Sequence, residues 1–123
     1  MPIADIELVC ESERAVPETG LAQQLANELG RVFASLPGST WVRVRTLAGE
    51  RYAENDVEVA GAELPVFVTL LLAQPPAGTA LKEQVVAVTA AVARVVGRSE
   101  HRVHVQYAPA ASGRQAFGGR LVR

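Results

Sequence analysis

Apolar and polar positions alternate from the start of the chain. Ala4, Ile6 and Leu8 share one parity and Asp5 and Glu7 the other, so residues 2–9 predict a strand with one buried face. Residues 10–17 are polar in Glu11, Ser12, Glu13 and Arg14 and are stopped by Pro17. The period then changes. Leu21, Leu25, Leu29, Val32, Phe33 and Leu36 recur at helical spacing and predict an amphipathic helix from about Glu18 to Ser35. Leu36-Pro37-Gly38-Ser39 breaks it. Trp41 to Leu47 alternates again, Val42 and Val44 against Arg43 and Arg45. Residues 48–62, with Gly49 and Gly61, read as a connecting loop or a short hairpin. Leu64 to Ala73 is almost unbroken apolar, the mark of a strand buried on both faces or nearly so. After a turn at 74–78, Thr79 is expected as the N-cap of a second helix. That helix runs to about Val96, with Leu81, Val85, Val88, Val92 and Val95 on one stripe, and Gly97 is its stop. Arg102 to Tyr107 is the last predicted strand, Val103, Val105 and Tyr107 on one face and Arg102, His104 and Gln106 on the other.

The order is strand–helix–strand, connector, strand–helix–strand. The halves match in position as well: Pro2 lines up with Pro65, and Val42-Arg43-Val44-Arg45 with Val103-His104-Val105-Gln106. One domain over 1–123 is expected, with pseudo-repeats 2–47 and 64–107 and a tail 108–123. Each half is a crossover joining parallel strands. Fusing two gives an α+β fold: a four-stranded sheet with both helices on one face. The opposite face then carries Phe67, Thr69 and Leu71, or their neighbours Val66, Val68 and Leu70, according to parity. Covering it calls for other subunits.

Composition narrows the choice of function. The chain has 123 residues, 49% hydrophobic and 20% charged, which supports a real core and argues against disorder. A formal net charge of −1 gives no bulk argument for nucleic acid or an anionic membrane. One cysteine, Cys10, excludes an intrachain disulfide framework and reads as a buried strand-end residue. No run approaches the ~20 apolar residues of a membrane span, and the start does not read as a signal peptide. A soluble cytoplasmic protein is expected. His101 and His104 stand at odd spacing on a strand and face opposite ways, so no shared metal is expected. Gly118-Gly119 is not followed by the lysine–hydroxyl pair of a phosphate loop. No cofactor is expected.

The chemistry centres on Pro2. Removal of Met1 frees a secondary amine in a fixed ring at a strand end. If Met1 remains, the same nitrogen is a tertiary amide without a basic lone pair. A free α-amino group titrates near ~8, and apolar walls or a nearby arginine lower that value because they disfavour the cation. A neutral amine can then take a proton from carbon beside a carbonyl and return it elsewhere, which is keto–enol tautomerisation. Arg43 and Arg45 lie two apart on one strand, so they share a face about 7 Å apart. Guanidinium forks bind carboxylates in bidentate fashion. The same two side chains equally suit a solvated strand face or salt bridges to Asp5 and Glu7.

Met-Pro opening a strand, followed by duplicated strand–helix–strand units, resembles the tautomerase superfamily. Its members include 4-oxalocrotonate tautomerase, macrophage migration inhibitory factor, 5-carboxymethyl-2-hydroxymuconate isomerase and malonate semialdehyde decarboxylase. Pro2-Ile3-Ala4 matches the opening of 4-oxalocrotonate tautomerase. Ser39-Thr40-Trp41-Val42-Arg43-Val44 is similar to the strand that carries a substrate-binding arginine there, and the match falls on Arg43. Arg14-Ala15-Val16-Pro17, Arg102 to Tyr107 and Phe117-Gly118-Gly119 resemble segments of the family too. The resemblance covers the whole chain and implies a homotrimer of fused double units. It implies Pro2 as the general acid–base, a small keto acid or dicarboxylate as substrate, and Arg43, Arg45, Arg14 and Gln106 as substrate ligands. Malonate semialdehyde decarboxylase also uses two arginines spaced by one residue. Gln106 falls where migration inhibitory factor has a pocket asparagine, and His104 where it has a tyrosine; a polar strand face inside a trimer is the alternative. Tyr107 and Phe117 could wall a pocket, or serve core packing or subunit contact.

Two other readings stay open. A relative using the site for hydration or decarboxylation needs a cationic Pro2 and a carboxylate that activates water, for which Asp5, Glu50 and Glu54 are the candidates. A catalytically silent oligomeric or interaction protein needs only the fold.

Overall fold

The computed structural model describes residues 2–12 and 19–123. β1 (Ile3–Cys10) leads to α1 (Leu21–Val32) and β2 (Trp41–Ala48); β3 (Val66–Leu71) leads to α2 (Gly78–Val96) and β4 (Val103–Tyr107). The sheet order is β2-β1-β3-β4. β1 and β2 are parallel, as are β3 and β4, and the two halves meet antiparallel along β1 and β3. This is the four-stranded α+β fold expected from the duplicated pattern.

Alternation sorts the two faces. Ala4, Ile6 and Leu8 of β1 and Val66, Val68 and Leu70 of β3 are buried in one cluster with Leu21, Leu25 and Leu29 of α1 and Val88 and Val92 of α2. Val42, Val44, Val105 and Tyr107 pack against its margins. Both helices therefore cover one face. Asp5, Glu7, Arg43, Arg45, Phe67, Thr69, His104 and Gln106 occupy the other parity, and none of them is buried. β3 is thus buried on one face and half-buried on the other, not on both as its apolar run predicts. Its open side, Phe67, Thr69 and Leu71, is the uncovered set.

Face parity also corrects the repeat. Pro65 precedes core-facing Val66, whereas Pro2 precedes Ile3, which points to the open face. Ala4 therefore answers to Val66, and the two prolines are one residue out of step. The second strands do match as read, with Val42 and Val44 answering to Val103 and Val105.

The helix ends depart from the expected bounds. α1 begins at Leu21 after Gly20 in the left-handed region, φ 87°. It stops at Val32 because Ala34 turns left-handed at φ 50°, with the Ser35 N–H donating back to the Gly30 carbonyl at 2.8 Å. This closure satisfies end carbonyls. It also leaves Leu36 outside the helical stripe and 77% exposed. α2 begins one residue before Thr79. Gly78 at φ 60° turns the chain inward, the cap position is Ala77, and no side chain caps it. Gly97 at φ 70° ends α2 as expected, its N–H on the Ala93 carbonyl at 2.9 Å.

The connector holds two 3₁₀ turns, Gly49–Arg51 and Gly61–Glu63, and a single bridge between Glu54 and Val57. Arg102 belongs to a third such turn, Glu100–Arg102, which also takes His101 off the strand. The tail extends the sheet edge: Ala108 and Ala111 N–H groups donate to the Leu70 and Leu72 carbonyls at 2.8 Å. It then folds into a hairpin of β5 (Ala116–Phe117) and β6 (Arg120–Leu121). Gly118 and Gly119, at φ 56° and 83°, supply the two positive angles that a tight two-residue turn requires. No helix among the described residues is long and apolar enough to cross a membrane.

Candidate functional site

Two places on the sheet gather the chemistry. One is the entry to β1 and β2. Pro2 is half-buried immediately before β1, and its carbonyl accepts the Trp41 N–H at 3.0 Å. The parallel register beginning at Ile3 and Trp41 fixes that bond. The Trp41 indole N–H donates to the Gly38 carbonyl at 2.9 Å, and its ring meets the Phe117 edge at 5.2 Å and 83°. The C-terminal hairpin is thereby held at the Pro2 end. Phe117 has this contact role; Tyr107 does not share it. Tyr107 packs against the core, its hydroxyl donating to Gln84 Oε1 at 2.6 Å, and burial pushes its pKa up.

The second place is the open face. Register lays Arg43, Asp5, Thr69 and Gln106 in one row across the four strands, and Arg45, Glu7, Phe67 and His104 in the next. Arg43 Nε donates to Asp5 Oδ1 at 2.5 Å and Nη2 to Oδ2 at 2.8 Å. Those bonds hold the Asp5 carboxyl below the usual carboxylate range and raise the Arg43 pKa. The Nε–Nη2 edge of the guanidinium is thereby occupied. Gln106 Nε2 donates to Thr69 Oγ1 at 3.1 Å. Arg45 is exposed and makes no hydrogen bond or close ion pair among the described residues.

A cavity of about 400 Å³ lies over these rows. Asp5, Glu7, Arg45, Thr69 and Gln106 give it polar lining, and Leu47, Tyr52 and Phe67 give it apolar walls. The Tyr52 and Phe67 rings stand 5.9 Å apart, tilted by 53°, and Phe67 touches the His104 ring at 5.6 Å. The Tyr52 hydroxyl donates to Glu54 Oε2 at 2.6 Å, and Arg102 Nη2 donates to the same oxygen at 2.6 Å. The Tyr52 bond and then the Arg102 bond lower the Glu54 pKa, while the bond to Glu54 raises that of Tyr52. Arg102 Nε also donates to the Glu63 carbonyl. A larger depression of about 600 Å³, between α1 and residues 34–40, has Arg31 as its one charged lining residue.

The structure thus brings Arg45 and Gln106 to one cavity and sets Arg43 beside it on Asp5. Pro2 is not in that lining. It precedes the Asp5 row by three residues and the Glu7 row by five, about 10 Å and about 16 Å along the strand. Arg14 lies outside the described residues. The sequence reading missed Tyr52, a lone aromatic in a polar connector. Of the candidate water-activating carboxylates, Asp5 has both oxygens held by Arg43, Glu54 has Oε2 held by two donors, and Glu50 is exposed in a 3₁₀ turn.

No family model and no curated protein matches the chain. Solved structures do. Macrophage migration inhibitory factor from Oncomelania hupensis superposes with a TM-score of 0.73 at 15% identity, over 100% of this chain and 83% of that one. A fused 4-OT solved as a symmetric trimer gives 0.68 at 18% identity, over 98% and 94%. Pt0534 inactivated by 2-oxo-3-pentynoate gives 0.73 at 13% identity, over 97% and 95%. The likeness runs along the whole chain, and the tautomerase-superfamily resemblance read from Pro2 and the duplicated units holds at the level of the fold, which this chain shares with those proteins.

Proposed function

We propose that the chain is a tautomerase-superfamily isomerase that moves a proton on an enolisable keto acid or dicarboxylate, with Pro2 as general acid–base. The observation that carries this is the placement of Pro2. In a fold shared with migration inhibitory factor and fused 4-OT, it sits at the entry of β1, half-buried, with its carbonyl pinned by Trp41. Once the initiator methionine is removed, the amine takes a proton from the carbon beside the substrate carbonyl. The electron pair moves into an enolate, and the proton returns at another carbon.

Arg43, about 10 Å along the strand, is within reach of a substrate carboxylate, for which it would exchange Asp5. Arg14 is proposed for the same task. Arg45, one row farther along, and Gln106, in the Arg43 row but across the sheet on β4, are proposed as further substrate ligands. The open face supports a homotrimer, the state in which the fused 4-OT was solved.

The test compares ketonisation of phenylpyruvate and 2-hydroxymuconate by the native protein and Pro2→Ala, followed in the ultraviolet. Loss of the proton-transfer term is expected to cost about 10²-fold or more. Equal rates refute the reading. Incubation with 2-oxo-3-pentynoate, the compound that inactivates Pt0534, is expected to add mass at the N-terminal residue. Size-exclusion elution as a monomer at micromolar concentration would contradict the trimer.

A second reading, a silent oligomeric member, draws on one observation: the Nε–Nη2 edge of Arg43 is already engaged by Asp5. Under it, Pro2→Ala changes no rate, while the trimer persists.

A further inference from the structure

The depression of about 600 Å³ belongs to the helix layer, not to the open face. Its walls are α1 and the segment 34–40 that leads into β2, and it shares no lining residue with the open-face cavity. Covering the open face with other subunits therefore does not fill it. Ala26 and Gly30 of α1 and Leu36 and Pro37 of the following segment make its apolar part.

Polar groups converge on the same space. Arg31 is the one charged residue of the lining. Glu28, outside the lining, bonds Arg31 Nη1 and also accepts from Arg94 Nη2 at 3.0 Å. Two guanidiniums thus share one carboxylate, and positive charge is left over at the rim. Asn27 Oδ1 accepts from Gln23 Nε2 at 2.9 Å, which leaves the Asn27 amide hydrogens to donate. Ser35 Oγ accepts from Thr40 Oγ1 at 2.6 Å, which leaves the Ser35 hydroxyl hydrogen. The Leu29, Gly30 and Arg31 carbonyls, at the end of α1 that would repel an anion, are bonded to the Phe33, Ser35 and Ala34 N–H groups. A cation and two donors, with no carboxylate in the lining, suit an anion.

Gly30 points the same way. It lies inside α1 without a positive φ, so the backbone does not require glycine there. Glycine in a helix is less stable than alanine. Beyond the helix's own backbone, an added Cβ would meet nothing within 4 Å, so packing within the chain does not require glycine either. What glycine keeps is the depth of the cleft.

We propose that this cleft binds a small aliphatic monocarboxylate. Arg31, Asn27 and Ser35 take the carboxylate, and the tail lies over Gly30 against Ala26, Leu36 and Pro37. The volume is that of a small-molecule site. Pro2 takes no part, so the proposal stands or falls apart from the isomerase reading.

The probe is hexanoate, titrated calorimetrically into the full chain in its native assembly. The controls are 1-hexanol, which lacks the charge, and acetate, which lacks the tail. Saturable binding of hexanoate is expected, with each control weaker by about ten-fold or more. Arg31→Met is expected to weaken hexanoate by about ten-fold and to leave hexanol unchanged. Gly30→Ala is expected to raise the melting temperature and yet to weaken hexanoate, a pairing that misfolding cannot produce. In the unaltered protein, the amide resonances of Asn27, Gly30 and Gly38 are expected to shift on titration. No saturable binding, hexanoate no tighter than either control, unchanged affinity in Gly30→Ala, or shifts confined to Thr69 and Gln106 of the open face overturns the proposal.

Discussion

The two faces of the sheet are made from the same four strands and follow opposite rules. On the helix-covered face every buried position is apolar, and no polar or charged residue is buried among the described residues. On the open face charge is arranged: a closed pair at Asp5 and Arg43, an unclosed pair at Glu7 and Arg45, and a latch from Tyr52 through Glu54 to Arg102. The covered face holds the chain together. The open face carries the charged and hydrogen-bonding groups.

The contrast can be broken most strongly from the covered side. Leu25 is fully buried, and Leu25→Ala is expected to lower the unfolding free energy by about 2–5 kcal/mol in a urea titration. A smaller effect comes from the backbone on the same side. Gly97 has open space where a Cβ would sit but a left-handed φ of 70°. Gly97→Ala is therefore expected to cost about 1 kcal/mol from conformation alone, read as a lower melting temperature. The smallest effect is on the open face. Pairing lowers the Asp5 pKa, so Asp5 adds stability above the ordinary carboxylate value near ~3.9. That stability fades as pH falls through the lower folded value. Asp5→Asn is expected to lower stability at neutral pH by less than about 1 kcal/mol, since solvent screens the pair. The gap to the native protein should close in strong acid; a gap independent of pH would show that the pair contributes no charge linkage.

What the sequence made legible follows from what each face asks of it. Alternation at Ala4, Ile6, Leu8 and again at Val42 and Val44 is a local signal, so strands, helices and the bare face could all be read. The Pro2–Pro65 match misled because proline marks where a strand starts and says nothing of which way it faces. Thr79 looked like a cap, but Gly78 with its positive φ made a hydroxyl cap unnecessary. The C-terminal hairpin escaped because strands of two residues show no period. At the candidate sites, Arg43 and Arg45 look alike in sequence, and only the side-chain geometry shows that Arg43 is the one hydrogen-bonded to Asp5. Tyr52 acquires its place from Phe67, Glu54 and Arg102, none adjacent to it in the chain.

The edge contact between Trp41 and Phe117 has an experimental use. Trp41 is the only tryptophan, and it stands at once beside the entry of β1 and under the terminal hairpin. Its fluorescence is a built-in optical gauge of that corner. Lifting the hairpin off the indole would wet the ring and shift its emission to longer wavelength, so docking of the tail can be followed in real time without attaching a dye.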